Sequence, residues 1–107
     1  MIVVSKFLVP KGFKGLTIFP FVILKSYTLK EDVVLINHER IHLRQQWELL
    51  IIPFFILYGM EYLIRFLKTR NPYEAYRNIS FEKEAYIKEK DLNYLRVRSF
   101  WSFIFYL

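Results

Sequence analysis

The sequence predicts an α+β fold, in which a small antiparallel sheet at the N-terminus is followed by helices. Two observations lead to this prediction. β-branched and apolar residues fill most of the N-terminal quarter and are interrupted by turn-forming Pro and Gly, as in paired strands. From Thr28 onward, residues that typically cap helix N-termini precede segments long enough to form helices. The chain has 107 residues without a repeat or a linker, so we expect a single domain over residues 1–107.

Two strands are predicted. Residues 1–9 are β-branched and apolar and form the first. Residues 16–25 form the second, and Pro20 within it indicates an edge position or a bulge, because proline cannot donate a ladder hydrogen bond. The segment from Gly12 to Gly15 suits a turn, so an antiparallel pair is expected.

A capping box predicts the start of the first helix. Thr28 is followed three residues later by Glu31, which predicts a helix from about Lys30 to Ile52. We expect this helix to end near Pro53, because proline has no N–H for a helical bond. A second, apolar helix is predicted over residues 54–68.

Two shorter signals predict the remaining helices. Asn71 can cap a short helix that has Pro72 at its first position. Ser80 can cap a last helix over about residues 81–95. The tail, residues 99–107, is strongly apolar and is expected to dock on the rest of the molecule.

The composition restricts the chemistry. The absence of cysteine excludes disulfides and thiolate zinc sites, so a metal would use His, Asp, Glu, carbonyl or water ligands. The formal net charge is +6, but the cations are scattered and form no basic run. We therefore predict no nucleic-acid partner, and attraction to anionic partners remains an alternative to ordinary solubility.

The longest apolar run extends from Leu49 to Met60 and contains Pro53 and Gly59. Runs of roughly 10–14 residues are typical of buried helices rather than membrane spans. We predict a core helix here; an interfacial helix or a strained span are the alternatives, so peripheral membrane contact stays open. The N-terminus lacks the features of a signal peptide, and a cytoplasmic location is expected.

The two histidines, His38 and His42, lie in the first predicted helix. Residues four apart share a helix face, so both imidazoles can reach one tetrahedral ion at about 2.0–2.1 Å. Glu39 lies about 100° round the helix from His38. There it is no ligand but can take a proton from a bound water. The pattern predicts a zinc site with Glu39 as general base; the alternative is a chance match with two locally hydrogen-bonded histidines.

A catalytic zinc ion needs a third protein ligand. Glu48 lies six residues past His42 on the same helix and cannot close the site. Glu61 lies in an apolar stretch, where a carboxylate needs a partner, and is a candidate ligand or supporting residue. Glu82 and Glu84, near the start of the last predicted helix, are the other candidates.

His38, Glu39 and His42, followed later by the run Glu82-Lys83-Glu84-Ala85-Tyr86, resemble the gluzincins. In these zinc peptidases the third ligand is a Glu on a later helix. Size and order are similar to the minimal, minigluzincin-like forms and to small uncharacterised bacterial proteins of the Bacteroidetes type. The motifs cover about residues 28–95, whereas the N-terminal sheet matches only by its order.

The resemblance implies particular roles. Glu82 becomes the third zinc ligand, because Ala85 then occupies the family's small-residue position, and Glu84 remains the alternative. Tyr86 stands where the family often has an Asp supporting a histidine ligand, and this departure puts that support in doubt. A peptide or protein substrate would lie along the edge strand near residues 16–25. The candidates to stabilise the oxyanion are Tyr73, Tyr76 and Arg77.

The function predicted from the resemblance is zinc-dependent hydrolysis of peptide bonds. Two alternatives remain open. One is a zincin-like protein without peptidase activity, in which the site is latent or the zinc structural. The other is a basic, aromatic module that binds a membrane surface. The sequence does not determine the oligomeric state.

Overall fold

The N-terminal sheet has three strands rather than two. In the computed structural model, which describes residues 1–107, they are β1 (Ile2–Val4), β2 (Gly15–Ile18) and β3 (Phe21–Leu24). Their order is β1–β3–β2, with β2 antiparallel and β1 parallel to the central β3. The α+β class is confirmed, but the prediction of an antiparallel sheet was wrong, because the sheet is mixed.

The predicted second strand is a hairpin. Its two halves, β2 and β3, pair with each other, and Phe19 and Pro20 lie in the turn between them. Pro20 therefore occupies a position where its missing N–H interrupts no ladder. Because β3 lies between β1 and β2, strands β1 and β2 do not pair with each other. The first predicted strand instead pairs with β3, the second half of the predicted second strand, and this pair is parallel.

Helix α1 (Val33–Glu48) carries the histidine motif. It begins at Val33 because the Asp32 carboxylate accepts a hydrogen bond from the Leu35 N–H at 3.0 Å. The predicted capping box lies just before it, in a 3-10 turn over Tyr27–Glu31.

A left-handed turn, and not Pro53, ends α1. Leu50 has a φ of 61°, and the N–H groups of Leu50 and Ile51 donate to the carbonyls of Trp47 and Gln46. This is the Schellman pattern of helix ends. The chain then bends by 113° into the next helix, in whose first turn Pro53 lies.

Four more helices and a second 3-10 turn follow: α2 (Ile52–Thr69), α3 (Pro72–Arg77), α4 (Ser80–Lys88), α5 (Tyr94–Val97) and the turn Ser102–Tyr106. The Asn71 side chain caps α3, as predicted. Ser80 is the first residue of α4 rather than its cap, and its N–H and hydroxyl both donate to Glu61. The predicted last helix is interrupted between α4 and α5.

Helix α2 is not the core helix that we predicted. Of its residues, Phe54 alone is buried. No single helix of the chain has the length and apolarity needed to cross a bilayer. Helices α1 and α2 meet these requirements only when taken together across their bend.

Two small cores hold the helices together. In the first, Phe54 of α2 packs with Ile79, Phe81 of α4 and Phe103 of the tail. The burial of Phe103 confirms that the tail docks on the rest of the molecule. In the second core, Ile41 of α1 packs against Ala85 of α4 and against Tyr94 of α5. Helix α1 also packs against β2, so it lies in contact with both the sheet and α4.

Candidate metal centre

Three side chains direct one ligand atom each towards a common point. The Nε2 atoms of His38 and His42 are 3.2 Å apart, and Glu82 Oε1 lies 3.3 Å from the first and 3.0 Å from the second. Ligand atoms around a tetrahedral zinc ion with bonds of about 2.0–2.1 Å are about 3.3–3.4 Å apart. The three atoms therefore fit one face of such a coordination sphere, and all three residues are buried.

Local structure brings these atoms together. The four-residue spacing stacks His38 and His42 on one face of α1. Glu82 reaches them from the first turn of α4, because α1 and α4 pack together around the second core, which contains Ile41 and Ala85. Ala85 has the small side chain that this packing needs.

Each histidine is oriented by a partner at its other ring nitrogen. His38 Nδ1 lies 2.9 Å from Glu89 Oε1, and His42 Nδ1 lies 2.8 Å from Gln45 Oε1. Both partner atoms are acceptors, so each Nδ1 donates and, in the neutral imidazole, each Nε2 keeps a lone pair for a cation. Glu89 thus supplies the carboxylate support that the departure at Tyr86 had put in doubt. The ring of Tyr86 packs edge-on against His38, with the ring centroids 4.5 Å apart.

The electrostatics of the site favour a positive charge between these groups. Burial alone lowers the pKa of His42, but the carboxylates of Glu82 and Glu39 raise it to about 9. Burial likewise opposes ionisation of Glu82, yet His42 and His38 hold the pKa of its carboxyl well below the usual range. Without a metal, a proton on His42 provides the positive charge that a cation would otherwise supply.

Glu39 faces the sheet rather than the ligand atoms. Its Oε1 accepts a hydrogen bond from the Thr17 hydroxyl at 2.7 Å, and both residues are buried. Gly15 lies beside this carboxylate: a Cβ there would make an ordinary contact of 3.6 Å with Glu39 Oε2 but would crowd the Ile23 carbonyl oxygen at 3.1 Å. The carboxylate is therefore fixed beside β2, at the wall of a cavity.

That cavity, of about 340 Å³, is lined by all three ligand residues and Glu39. Much of its wall is apolar and comes from β2, the preceding loop and α2: Pro10, Phe13, Leu16, Ile18, Phe54 and Phe55. A second cavity of about 280 Å³ shares His38 and Glu39 with the first and includes the charged residues Lys14, Asp32 and Glu89. Phe13 and Tyr76 line both cavities, and their rings touch edge to face with centroids 5.3 Å apart.

Strand β2 forms the open edge of the sheet along these cavities. Just beyond the strand ends, Lys25 N donates to Lys14 O, so Lys14 and Lys25 are a hydrogen-bonded pair of the antiparallel ladder. Such pairs alternate with pairs that share no hydrogen bond. The next residue, Gly15, therefore directs its backbone N–H and C=O away from β3, towards the open edge. Further along, the Gln46 side chain already pairs with this edge. It donates to the Thr17 carbonyl and accepts from the Phe19 N–H, both at 2.7 Å.

The other two candidate ligands lie elsewhere. Glu84 is fully buried but bonds to Arg98, Tyr94 and Gln45. Glu61 accepts both hydrogen bonds of Ser80 at the start of α4. Glu82 alone among the three candidates joins the histidines.

Of the predicted oxyanion donors, Tyr76 lines the cavity. Tyr73 is largely exposed and accepts a hydrogen bond from Arg77. Tyr58 was not predicted; it also lines the cavity and donates to Glu82 Oε2 at 2.6 Å. Burial and the charge of Glu82 raise the pKa of both Tyr58 and Tyr76, so both hydroxyls keep their protons.

Comparisons with protein-family models, with curated proteins and with solved structures found no match to this chain.

Proposed function

We propose that the protein is a zinc-dependent hydrolase of peptide bonds. The observation that carries this proposal is the mutual distance of 3.0–3.3 Å among the ligand atoms of His38, His42 and Glu82. Glu39 follows the first histidine directly and lies at the wall of the same cavity. His38, His42 and Glu82 would hold the ion. When bound, zinc would lower the pKa of a water molecule and polarise the carbonyl of the substrate.

The chain's own residues would manage the proton. Glu39 would accept a proton from the attacking water and then donate it to the leaving amine nitrogen. Thr17 would keep the Glu39 carboxylate at the cavity wall during both transfers. Tyr76, protonated and lining the cavity, is the side chain we assign to donate a hydrogen bond to the oxyanion.

The substrate would be a peptide segment bound in extended form. The outward backbone groups of Gly15 on β2 can pair with such a segment by strand addition. The apolar cavity on one side favours an apolar side chain near the cleaved bond. Gln46 limits the length of this pairing, because it already occupies the edge at Thr17 and Phe19.

The test combines metal content with turnover. Protein purified without chelator should contain about one zinc ion per chain, and His42→Ala should lose it. Glu39→Gln should keep the zinc but hydrolyse a library of quenched fluorescent peptides about 10²–10⁴-fold more slowly. Glu31→Gln, a change of an exposed glutamate, is the matched control. Normal hydrolysis by Glu39→Gln would exclude the assigned general base.

One observation favours a latent zincin-like protein as the second candidate. The contact of Phe13 with Tyr76 lies between the two cavities, so an extended substrate would have to displace it. If the protein binds zinc without turnover, Phe13→Ala should raise hydrolysis. A zinc-loaded Phe13→Ala protein that still cleaves nothing would favour a structural role for the metal.

A further inference from the structure

Helix α2 presents large apolar side chains on its outward side, where a helix that covers a core carries polar ones. The side chains turned inward and partly buried include Tyr58, Glu61, Tyr62 and Arg65. The outward side, here called the apolar face, consists of large hydrophobic residues that are each 49–70% exposed: Ile52, Ile56, Met60, Leu63, Ile64 and Leu67. The outward side of a surface helix is normally polar.

The C-terminal tail extends this uncharged region. Neither the stretch from Leu49 to Met60 nor the tail from Ser99 to Leu107 contains a charged side chain. Both segments reach the first core, where Phe54 and Phe103 each pack against the ring of Phe81. The tail also exposes Phe100, at 68%, and Phe105, at 81%. Such a patch exceeds what isolated surface residues explain and marks a contact site.

We infer that the apolar face docks on an anionic lipid bilayer. The 18 residues of α2 form a rod about 27 Å long that can lie in the plane of a membrane with its apolar side in the lipid. The one acidic residue of the helix, Glu61, is turned inward onto Ser80. The exposed charges at its end, Lys68 and Arg70, are cations that match acidic headgroups.

Charge also selects lipid over a second copy of the chain. Two copies with a formal charge of +6 each repel one another, whereas an anionic surface attracts each of them. Phe54 and Phe55 of the same helix line the cavity. Docking of this face on lipid does not require a bound metal.

The experiment is co-sedimentation of the full chain with two kinds of vesicle, phosphatidylcholine alone and phosphatidylcholine mixed with phosphatidylglycerol. The wild-type protein should bind the anionic vesicles more strongly. Ile56→Glu/Leu63→Glu should lower that binding by at least about tenfold. The matched control is Val33→Glu/Leu92→Glu, which adds the same charge at positions equally exposed, at 58 and 54%, away from the face.

A second variant tests how much the positive charges at the end of α2 contribute to binding of anionic vesicles. Lys68→Gln/Arg70→Gln should weaken binding to the anionic vesicles and leave binding to the neutral ones unchanged. Cooperative thermal unfolding of each variant verifies that it is folded. No binding by the wild type, or equal loss in the face and control variants, would overturn the inference. So would a wild-type dimer that Ile56→Glu/Leu63→Glu converts to monomers, because the face would then join two copies.

Discussion

At the residue scale, Glu39 owes its position to a neighbour from another element. The hydroxyl of Thr17, on β2, donates to its carboxylate at 2.7 Å, and Thr17 is 7% exposed. A general base works only when its carboxylate is held within reach of the proton it takes. Because the hydroxyl lies on the sheet side of Glu39, it fixes the carboxylate at the cavity wall.

We expect Thr17→Val to lower hydrolysis about tenfold to a hundredfold while zinc content stays unchanged. Valine keeps the shape and the strand preference of threonine but removes the donor. The measurements are kcat on a peptide substrate and zinc by elemental analysis. Thr17→Ser, which retains a hydroxyl, should recover most of the activity. Loss of zinc in parallel with activity would instead assign Thr17 a structural role.

The sequence predicted the α1 residues of the candidate site because their spacing is local. His38, Glu39 and His42 lie within five consecutive positions of one helix, and Glu82 was recovered through the family resemblance. Thr17 and Tyr58 left no local signal, since only the packing of β2 and α2 brings them to the site. Glu89 was accessible to the same reasoning, because it lies seven residues, about two turns, after Glu82.

Glu89 should affect the affinity for metal rather than the fold. It bonds to His38 Nδ1 at 2.9 Å and is only partly buried. Removing such a partner of a metal-binding histidine typically lowers affinity 10–100-fold. We therefore expect Glu89→Ala to bind zinc roughly 10–100-fold more weakly, measured by competition with a chelator. Glu31→Ala, which removes an exposed carboxylate away from the site, serves as the control; equal affinities of the two variants would contradict the assignment.

At the element scale, the hydrophobic pattern predicted which segments form helices and strands better than it predicted what those helices and strands pack against. The apolar run from Leu49 to Met60 does form part of a helix, but its periodicity did not determine whether the apolar side packs in the core of this chain or is exposed on its surface. The segment 16–25 was predicted as one strand because its residues other than Pro20 favour β-structure, and Pro20 indicated an edge position or a bulge. The turn at Pro20 and the insertion of β3 between β1 and β2 depend on pairing between distant segments.

The end of α1 offers a stability test for an element boundary. Leu50 occupies the left-handed position of the Schellman turn with a φ of 61°, and it is 74% exposed. A side chain with a Cβ is disfavoured there, whereas glycine is not, although glycine also gains entropy in the unfolded chain. Leu50→Gly should raise the free energy of unfolding by about 0.5–1 kcal/mol in urea denaturation. Leu50→Ala should give no such gain, because alanine keeps the Cβ; equal effects would contradict the backbone explanation.

At the scale of the whole molecule, a buried ion-pair network joins the C-terminal segment to the candidate metal centre. Arg98 Nη1 lies 2.6 Å from Glu48 on α1, and its Nη2 lies 3.0 Å from Glu84 on α4. Gln45 donates to Glu84 at 2.9 Å and accepts from His42 at 2.8 Å. One guanidinium therefore bridges two buried carboxylates and, through Glu84, sets the orientation of the amide that faces a histidine.

Arg98→Met should consequently destabilise the whole fold. It would leave Glu48 and Glu84 buried without a counter-charge, and breaking a buried pair in this way typically lowers stability by about 3–5 kcal/mol. That is a large part of the roughly 5–15 kcal/mol that a domain of this size has. Urea unfolding measures the effect, and Arg96→Met, two residues earlier at an exposed cation, should change stability by less than about 0.5 kcal/mol.

Adding Glu48→Gln and Glu84→Gln to Arg98→Met should restore part of the loss, because the stranded charges are then gone. If the triple variant were no more stable than Arg98→Met alone, the loss would come from the packing of the arginine stem, and the tail would be held by contacts such as that of Phe103.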